Sequence, residues 1–140
     1  MTSAPPSPGD AVPPPAAPLV LVVDDDERNR KLAHDVLRRS GLRTLEAATG
    51  RAAIALARDR LPDVVLLDLR LPDMEGTDVA RALREGGRTA EIPVVALTAL
   101  RYPDLGAWLL AGGFSGYLEK PIDVRTFPEL VRGYCGDSET

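Results

Sequence analysis

Short apolar runs alternate along the chain with longer segments whose apolar residues recur at helical spacing. The five runs that predict strands are residues 19–23, 44–47, 64–67, 94–97 and 116–118. Such alternation is typical of βαβ units, in which helices connect the parallel strands of one sheet. The pattern therefore predicts an α/β fold with five strands and five helices.

Apolar stripes and one cap predict the first three helices. Asp26 stands where it can cap the first helix with its side chain. The stripes share the three- and four-residue spacing of a helix face that is buried against a sheet. Their members are Leu32, Val36 and Leu37 in the first helix, Ala53, Ile54 and Ala57 in the second, and Val79 and Leu83 in the third.

The last two helices are predicted from their limits. The fourth must lie between Pro103 and Ala111, where Ala107 to Ala111 form a consecutive apolar run. Because a helix can bury only one stripe, some of that run must face outward, and Trp108 is the residue we expect there. The fifth begins near Thr126, which with Pro128 and Glu129 suggests an N-cap, an early proline and a capping box. Gly133 and Gly136 then interrupt the helical pattern.

Composition divides the chain into a globular part and two ends. Residues 1–18 contain seven of the 13 prolines and a single charged residue, which predicts a disordered Pro/Ala-rich arm. Residues 19–134 form the predicted domain, and residues 135–140 a polar tail. The first 18 residues have neither the basic region nor the apolar region of a secretory signal.

Charge and cysteine content exclude several classes of function. The net charge of −4 argues against direct binding of nucleic acid. The only cysteine, Cys135, cannot form an internal disulfide, and no apolar run approaches the ~20 residues of a membrane-spanning helix. We therefore expect a cytoplasmic protein that binds neither nucleic acid nor membrane.

Polar residues follow four of the predicted strands. Asp24, Asp25 and Asp26 follow the first, Asp68 ends the third, Thr98 follows the fourth, and Lys120 follows the fifth. The carboxyl ends of parallel strands meet at one edge of a sheet, which is where open α/β sheets bind ligands. We assign Asp26 to capping, so Asp24, Asp25 and Asp68 remain as a cluster of carboxylates.

Crowded carboxylates favour a divalent cation, because their mutual repulsion is costly without one. Mg²⁺ prefers oxygen ligands and would let a phosphoryl group approach an aspartate. Lys120 could then pair with phosphate oxygens, and the Thr98 hydroxyl could donate to them. Each residue alone is explained as well by a turn or a satisfied hydroxyl. Together they predict a phosphoryl-transfer site.

The stretches LVVDDDERNR, VVLLDLRLPDMEG, VVALTA and GYLEKPID resemble the receiver (CheY-like) domains of bacterial response regulators. The spacings of 30 residues from Asp68 to Thr98 and 22 from Thr98 to Lys120 are also similar to the family's. The resemblance covers residues 19 to about 134 and implies a stand-alone receiver. It also implies the flavodoxin-like (βα)5 doubly wound sheet with strand order 2-1-3-4-5.

The resemblance implies an acceptor and a metal site. Asp68 would take the phosphoryl group. Asp68 and Asp25 would bind Mg²⁺ directly, Asp24 would hold the metal largely through water, and the backbone carbonyl of Arg70 would add a ligand. Such a domain catalyses only its own phosphorylation and dephosphorylation and is otherwise not an enzyme.

The resemblance also implies a switch and partners. Thr98 and Tyr117 would be the switch pair, and Lys120 would bind the phosphate next to a cis bond to Pro121. The donor would be a histidine kinase or a histidine phosphotransfer protein, since His34 is expected to be an ordinary surface residue. Output would pass through the surface of helix 4, strand 5 and helix 5, to a downstream protein or to a second copy in a homodimer through the helix 4 face.

Two other functions stay open at this point. The domain could be a pseudo-receiver that binds partners without phosphorylation, although the complete set of site residues argues against it. A Mg²⁺ phosphatase of the haloacid-dehalogenase type would use Asp24 and Asp26, but Glu27 and Arg28 stand where that family places Gly-Thr. A flavodoxin is excluded, because an acidic triplet occupies the loop that should cradle phosphate.

Overall fold

The computed structural model describes residues 14–99 and 103–135, in which five strands alternate with five α-helices. The elements are β1 (Leu19–Val23), α1 (Glu27–Arg39), β2 (Arg43–Ala47), α2 (Gly50–Arg60), β3 (Val64–Asp68), α3 (Gly76–Arg84), a 3₁₀ turn (Gly87–Thr89), β4 (Val94–Thr98), α4 (Leu105–Ala111), β5 (Gly116–Glu119) and α5 (Phe127–Tyr134). Each predicted strand is confirmed to within one residue at either end.

All neighbouring strands are parallel, and their order is β2-β1-β3-β4-β5. This confirms the doubly wound fold and the strand order implied by the resemblance. The order reverses between β1 and β3, and such a reversal leaves a crevice beyond the carboxyl ends of the strands. The residues that follow β1 and end β3 therefore lie side by side at that crevice.

The strand residues alternate between two cores, because successive side chains in a strand point to opposite faces. One core joins Leu21, Val65 and Val94 to α2, α3 and α4. The other joins Val22 and Leu66 to α1 and α5. Both faces of β1, β3 and β4 are thus buried, which explains why these strands read as continuous apolar runs.

The predicted apolar stripe of α1 is wrong at one position. Leu32 is 40% exposed, whereas Ala33 and Leu37 are fully buried. The face that meets the sheet is centred on the line from Ala33 to Leu37, so Leu32 lies at its margin. The predicted cap is confirmed, since the backbone N–H of Arg28 donates to the Asp26 side chain over 2.8 Å.

The predicted start of α5 is correct, but its capping box is wrong. Thr126 occupies the N-cap position without a side-chain hydrogen bond to the helix. Its backbone already has helical angles (φ −104°, ψ −21°), and the amide of Phe127 bonds the Asp123 carbonyl over 2.9 Å. The preceding turn thus replaces the cap. The helix also continues through Gly133, which was predicted to interrupt it, while Gly136 lies outside the described residues.

Residues 14–18, the last part of the predicted arm, are hydrogen-bonded to the start of β2. The backbone N–H of Arg43 donates to the Pro18 carbonyl, and its Nε donates to the Ala17 carbonyl, each over 2.9 Å. Residues 1–13, most of the predicted arm, lie outside the described residues, as do residues 136–140 of the predicted tail. Within the described ranges, no helix has both the length and the apolar character needed to cross a bilayer.

Candidate functional site

Strand register brings the predicted polar residues to one edge of the sheet. Val23 pairs with Leu67, so Asp24 and Asp68, which come next, are neighbours across β1 and β3. Thr98 pairs with Glu119, so Lys120 follows beside it. Asp25, Asp68, Thr98 and Lys120 line one open cavity of about 410 Å³ together with Arg70. The structure therefore brings together the residues that were predicted to act together.

The three candidate carboxylates form a compact cluster. One oxygen each from Asp24, Asp25 and Asp68 lies within 4.8 Å of the others. Asp24 is buried, Asp68 is half-buried and Asp25 is exposed. Oxygen donors at this spacing, partly open to water, fit a hard cation such as Mg²⁺, which keeps several waters of its own. The residues present therefore suit the metal that the sequence predicted.

Lys120 connects two of these carboxylates. Its Nζ lies 3.1 Å from Asp24 Oδ2 and 3.2 Å from Asp68 Oδ2. Burial alone would lower the pKa of Lys120, but the charges and hydrogen bonds of Asp68 and Asp24 outweigh it, and the pKa is raised. The ammonium is therefore fully charged at neutral pH. The bond between Lys120 and Pro121 is cis, as predicted.

The two predicted switch residues lie on neighbouring strands with their side chains on the same face of the sheet, because Tyr117 pairs with Ala96, two residues before Thr98. Thr98 is buried and faces the cavity with Asp68. Tyr117 is 37% exposed and lines a separate groove between β5 and α5. A Cβ added to Gly106 would meet the Tyr117 ring at 3.6 Å, so the ring lies against α4. The tyrosine thus connects α4 with the groove and does not enter the Asp68 cavity.

The loop after β3 is held close to the site. The Arg70 amide donates to Asp68 Oδ1 over 3.1 Å. The backbone of Arg70 also forms an isolated antiparallel β-bridge with the backbone of Glu75. A Cβ on Gly76 would stand 2.9 Å from the Asp68 carbonyl oxygen and from the Leu69 Cα. Only glycine allows α3 to begin this close to the end of β3. The Arg70 side chain is exposed at the rim.

Sequence reasoning missed three residues that hold the site. The Asn29 side chain donates to Asp24 Oδ2 over 3.2 Å, and Arg30 donates to the Asp24 carbonyl over 2.8 Å. Asp73 accepts from the amides of Gly50 and Arg51, which ties the loop after β3 to the start of α2. Asn29 and Arg30 could have been noticed as α1 residues within one turn of the acidic triplet. Asp73 gives no such signal, because its partners lie more than 20 residues away.

The chain is similar to response regulators both in sequence and in structure. The response regulator receiver domain model matches residues 20–132. The polar-differentiation response regulator DivK of Brucella anthropi is 36% identical over 113 residues, covering 81% of this chain and 92% of that protein. DivK of Brucella abortus shows the same identity and coverage.

Solved structures agree with the curated relatives. The chemotaxis protein CheY4 of Vibrio cholerae superposes with a TM-score of 0.80 at 29% identity, over 85% of this chain and 99% of that one. The receiver domain of a sensor histidine kinase from Pseudomonas aeruginosa has a TM-score of 0.76 at 28% identity, over 87% and 100%. That structure has a magnesium ion coordinated in its active-site cleft.

Proposed function

The chain belongs to the response regulator receiver domain family and functions in phosphorelay signalling, and we propose that it does so by accepting a phosphoryl group on Asp68. The observation that carries this proposal is the bridge from Lys120 to Asp24 and Asp68. The Lys120 ammonium lies beside the Asp68 nucleophile, in a cavity that a phosphodonor can enter. Membership of this family disfavours the phosphatase alternative.

The protein donor carries a phosphohistidine, so the leaving group of the physiological transfer is an imidazole. The P–N bond of a phosphohistidine breaks as a bond forms between phosphorus and an Asp68 carboxylate oxygen, and the imidazole takes up a proton. A histidine kinase or a histidine phosphotransfer protein supplies that group. The acyl phosphate is later hydrolysed: water attacks phosphorus, the bond between phosphorus and the Asp68 oxygen breaks, and inorganic phosphate leaves as the carboxylate is restored.

Asp25 and Asp68 are the direct carboxylate ligands for Mg²⁺ in this proposal. Asp24, which is buried and already accepts from Asn29, would hold the metal through water. The Arg70 carbonyl would be the third direct ligand from the protein. When bound, the metal neutralises the charge that develops on the transferring phosphoryl group. The protein's own residues then position the group. The Thr98 hydroxyl donates to a phosphate oxygen, and Lys120 pairs with another.

The output surface is the face formed by α4, β5 and α5. Trp108 is 50% exposed, which confirms its expected outward position, and Leu110 is 61% exposed. The Tyr117 ring lies against Gly106 of the same helix. Movement of Thr98 toward the phosphate leaves space that the Tyr117 ring can fill, which changes this face. A downstream protein, or a second copy in a homodimer through α4, then binds it with Trp108 as an aromatic anchor.

We assign this function to residues 19–134 and to the cytoplasm. We assign no function to the arm of residues 1–18 or to the tail of residues 135–140.

The test is incubation with Mg²⁺ and acetyl phosphate, followed by intact mass measurement. The parent chain should gain one acid-labile phosphoryl group, and Asp68→Asn should gain none. Asp59→Asn, which removes an exposed carboxylate from α2, is the matched control and should react like the parent. If the parent gains no phosphoryl group, the domain is a phosphorylation-independent interaction module. If Asp68→Asn is still modified on the same peptide, the acceptor is misassigned.

A further inference from the structure

A second pocket lies near the amino ends of β1 and β2, at the opposite end of the strands from Asp68. It has a volume of about 240 Å³ and lies beside β2, which is the edge strand of the sheet. Its lining residues come from α1, β1, β2, the α1–β2 connection and the end of α2. They are Leu19, His34, Arg38, Leu42, Arg43, Thr44, Leu45 and Arg60.

The lining is strongly basic although the whole chain is acidic. Arg38, Arg43 and Arg60 line the pocket, and no carboxylate is among the described residues that do. Two acidic side chains contact residues of the lining, and both already have partners. Glu46 Oε2 lies 3.9 Å from His34 Nδ1. Glu46 pairs with Arg30 at 3.3 Å, and Asp63 accepts the Leu19 amide over 2.7 Å. Three guanidinium groups around one concavity therefore leave a local excess of positive charge.

Arg38 has an unused donor at this pocket. Its Nε is buried and hydrogen-bonds with none of the described residues. A buried donor without an acceptor costs about 1–3 kcal/mol. An acceptor that binds in the pocket, with a small change in the Arg38 side chain, would remove that cost without breaking an existing bond.

The other polar groups at the pocket are held in place. The Arg43 Nε is fixed to the Ala17 carbonyl over 2.9 Å, which leaves its two terminal nitrogens to donate elsewhere. His34, expected at the surface, is only partly exposed, and its Nδ1 is hydrogen-bonded to the Thr44 hydroxyl. Donors that are positioned before binding lose little entropy when a ligand arrives.

We propose that this pocket binds the phosphate group of a small phosphorylated metabolite, as a second input that is separate from Asp68. A guanidinium matches two phosphate oxygens at once, and three guanidinium groups suit a multiply charged group better than a carboxylate. The volume admits a phosphate or diphosphate, and the lining of Leu19, Leu42 and Leu45 provides an apolar wall for the remainder of the ligand.

The test uses the full chain with pyrophosphate as the probe, at constant ionic strength set by sodium chloride. Binding is followed by calorimetry and by the arginine Nε–H signals in ¹H–¹⁵N spectra. Arg60→Gln removes an exposed cation from the pocket, and Arg38→Gln removes the unused donor. Arg88→Gln, an exposed arginine on the 3₁₀ turn outside the pocket lining, is the charge-matched control.

Saturable binding of one pyrophosphate, with a shift of the Arg38 Nε–H signal and at least a tenfold loss of affinity in Arg60→Gln, supports the site. Arg88→Gln should bind as tightly as the parent. If the parent and the variants all bind pyrophosphate equally, or if binding follows ionic strength alone, the proposal is wrong. Arg60→Gln decides the outcome even if Arg38→Gln fails to fold. Phosphorylation of Asp68, measured on the same samples, should be unchanged in Arg60→Gln, so that failure of this site and failure of the acceptor assignment are told apart.

Discussion

Replacing Asp68 by asparagine should stabilise the protein when no divalent cation is bound. The attraction between Asp68 Oδ2 and Lys120 Nζ at 3.2 Å is about 5 kcal/mol at an effective dielectric constant of about 20. Two repulsions oppose it, because Asp24 and Asp25 lie within 4.8 Å, and each is about 3.5 kcal/mol or more. The summed repulsion on Asp68 therefore exceeds the attraction. Solvent screens the charge of the exposed Asp25, so we expect the substitution to raise the free energy of unfolding by only about 1 kcal/mol.

The asparagine keeps the shape of the side chain, and its carbonyl oxygen can still accept the Arg70 amide. The measurement is urea denaturation in EDTA and again in Mg²⁺, followed by circular dichroism. Mg²⁺ should raise the stability of the parent, because a ligand that binds only the folded state stabilises it, and it should raise that of Asp68→Asn far less. Asp59→Asn should stay within about 0.5 kcal/mol of the parent in both buffers.

Two results would refute this reasoning. A loss of stability of Asp68→Asn in EDTA would mean that the attraction to Lys120 dominates the cluster. Equal stabilisation of parent and variant by Mg²⁺ would mean that the metal is not held by these carboxylates.

Four further predictions concern other parts of the domain. Lys120→Ala should still accept phosphate from acetyl phosphate with Mg²⁺ but lose the phosphorylation-dependent change in Trp108 fluorescence, and a normal change would remove Lys120 from the switch. Trp108→Ala should weaken self-association or partner binding, measured by sedimentation and pull-down, more than phosphorylation; unfolding of the variant would instead place this side chain in the core. Gly76→Ala forces a Cβ to within 2.9 Å of main-chain atoms at the end of β3 and should cost about 1–3 kcal/mol in urea denaturation. In Gly133→Ala the added Cβ meets nothing within 4 Å, and the free energy of unfolding should rise by about 0.5–1 kcal/mol. If the two glycine variants change stability equally, the close approach of Gly76 to β3 is contradicted. Backbone amides at the start of α2 hold the pKa of Asp73 below its usual value, so this carboxylate stabilises the fold above its unfolded pKa and the contribution is lost as pH falls through the lowered value. Asp73→Ala should therefore be less stable than the parent at neutral pH and equal to it in acid, whereas a difference that persists unchanged in acid would point to packing.

The sequence alone predicted the strands, their parallel arrangement and the location of the candidate site. The reason is that these properties are local or periodic. Strands buried on both faces must be continuous apolar runs, and polar residues directly after them must lie at one edge of the sheet. Asp24, Asp68, Thr98 and Lys120 could therefore be placed near one another before any coordinates were known. The strand order itself came from the family resemblance.

Helix faces and caps were predicted less well, because they depend on what packs against them. Leu32 fits the helical period of α1 as well as Ala33 does, and only the docking of α1 on the sheet buries one and exposes the other. Thr126 has the side chain of an N-cap, but the turn that precedes α5 already provides the carbonyl that the helix start needs.

Only the tertiary structure decided which charges meet. Lys120 and Asp24 are 96 residues apart, and nothing in the local sequence of either selects the other. Asp73 also binds a separate element, since it accepts from the amides of Gly50 and Arg51 at the start of α2. Such contacts depend on how helices and loops pack after the chain has closed on itself, and side-chain charges contribute little until that packing excludes water. The sequence therefore determines which groups reach the edge of the sheet, and the packed fold determines which of them pair there.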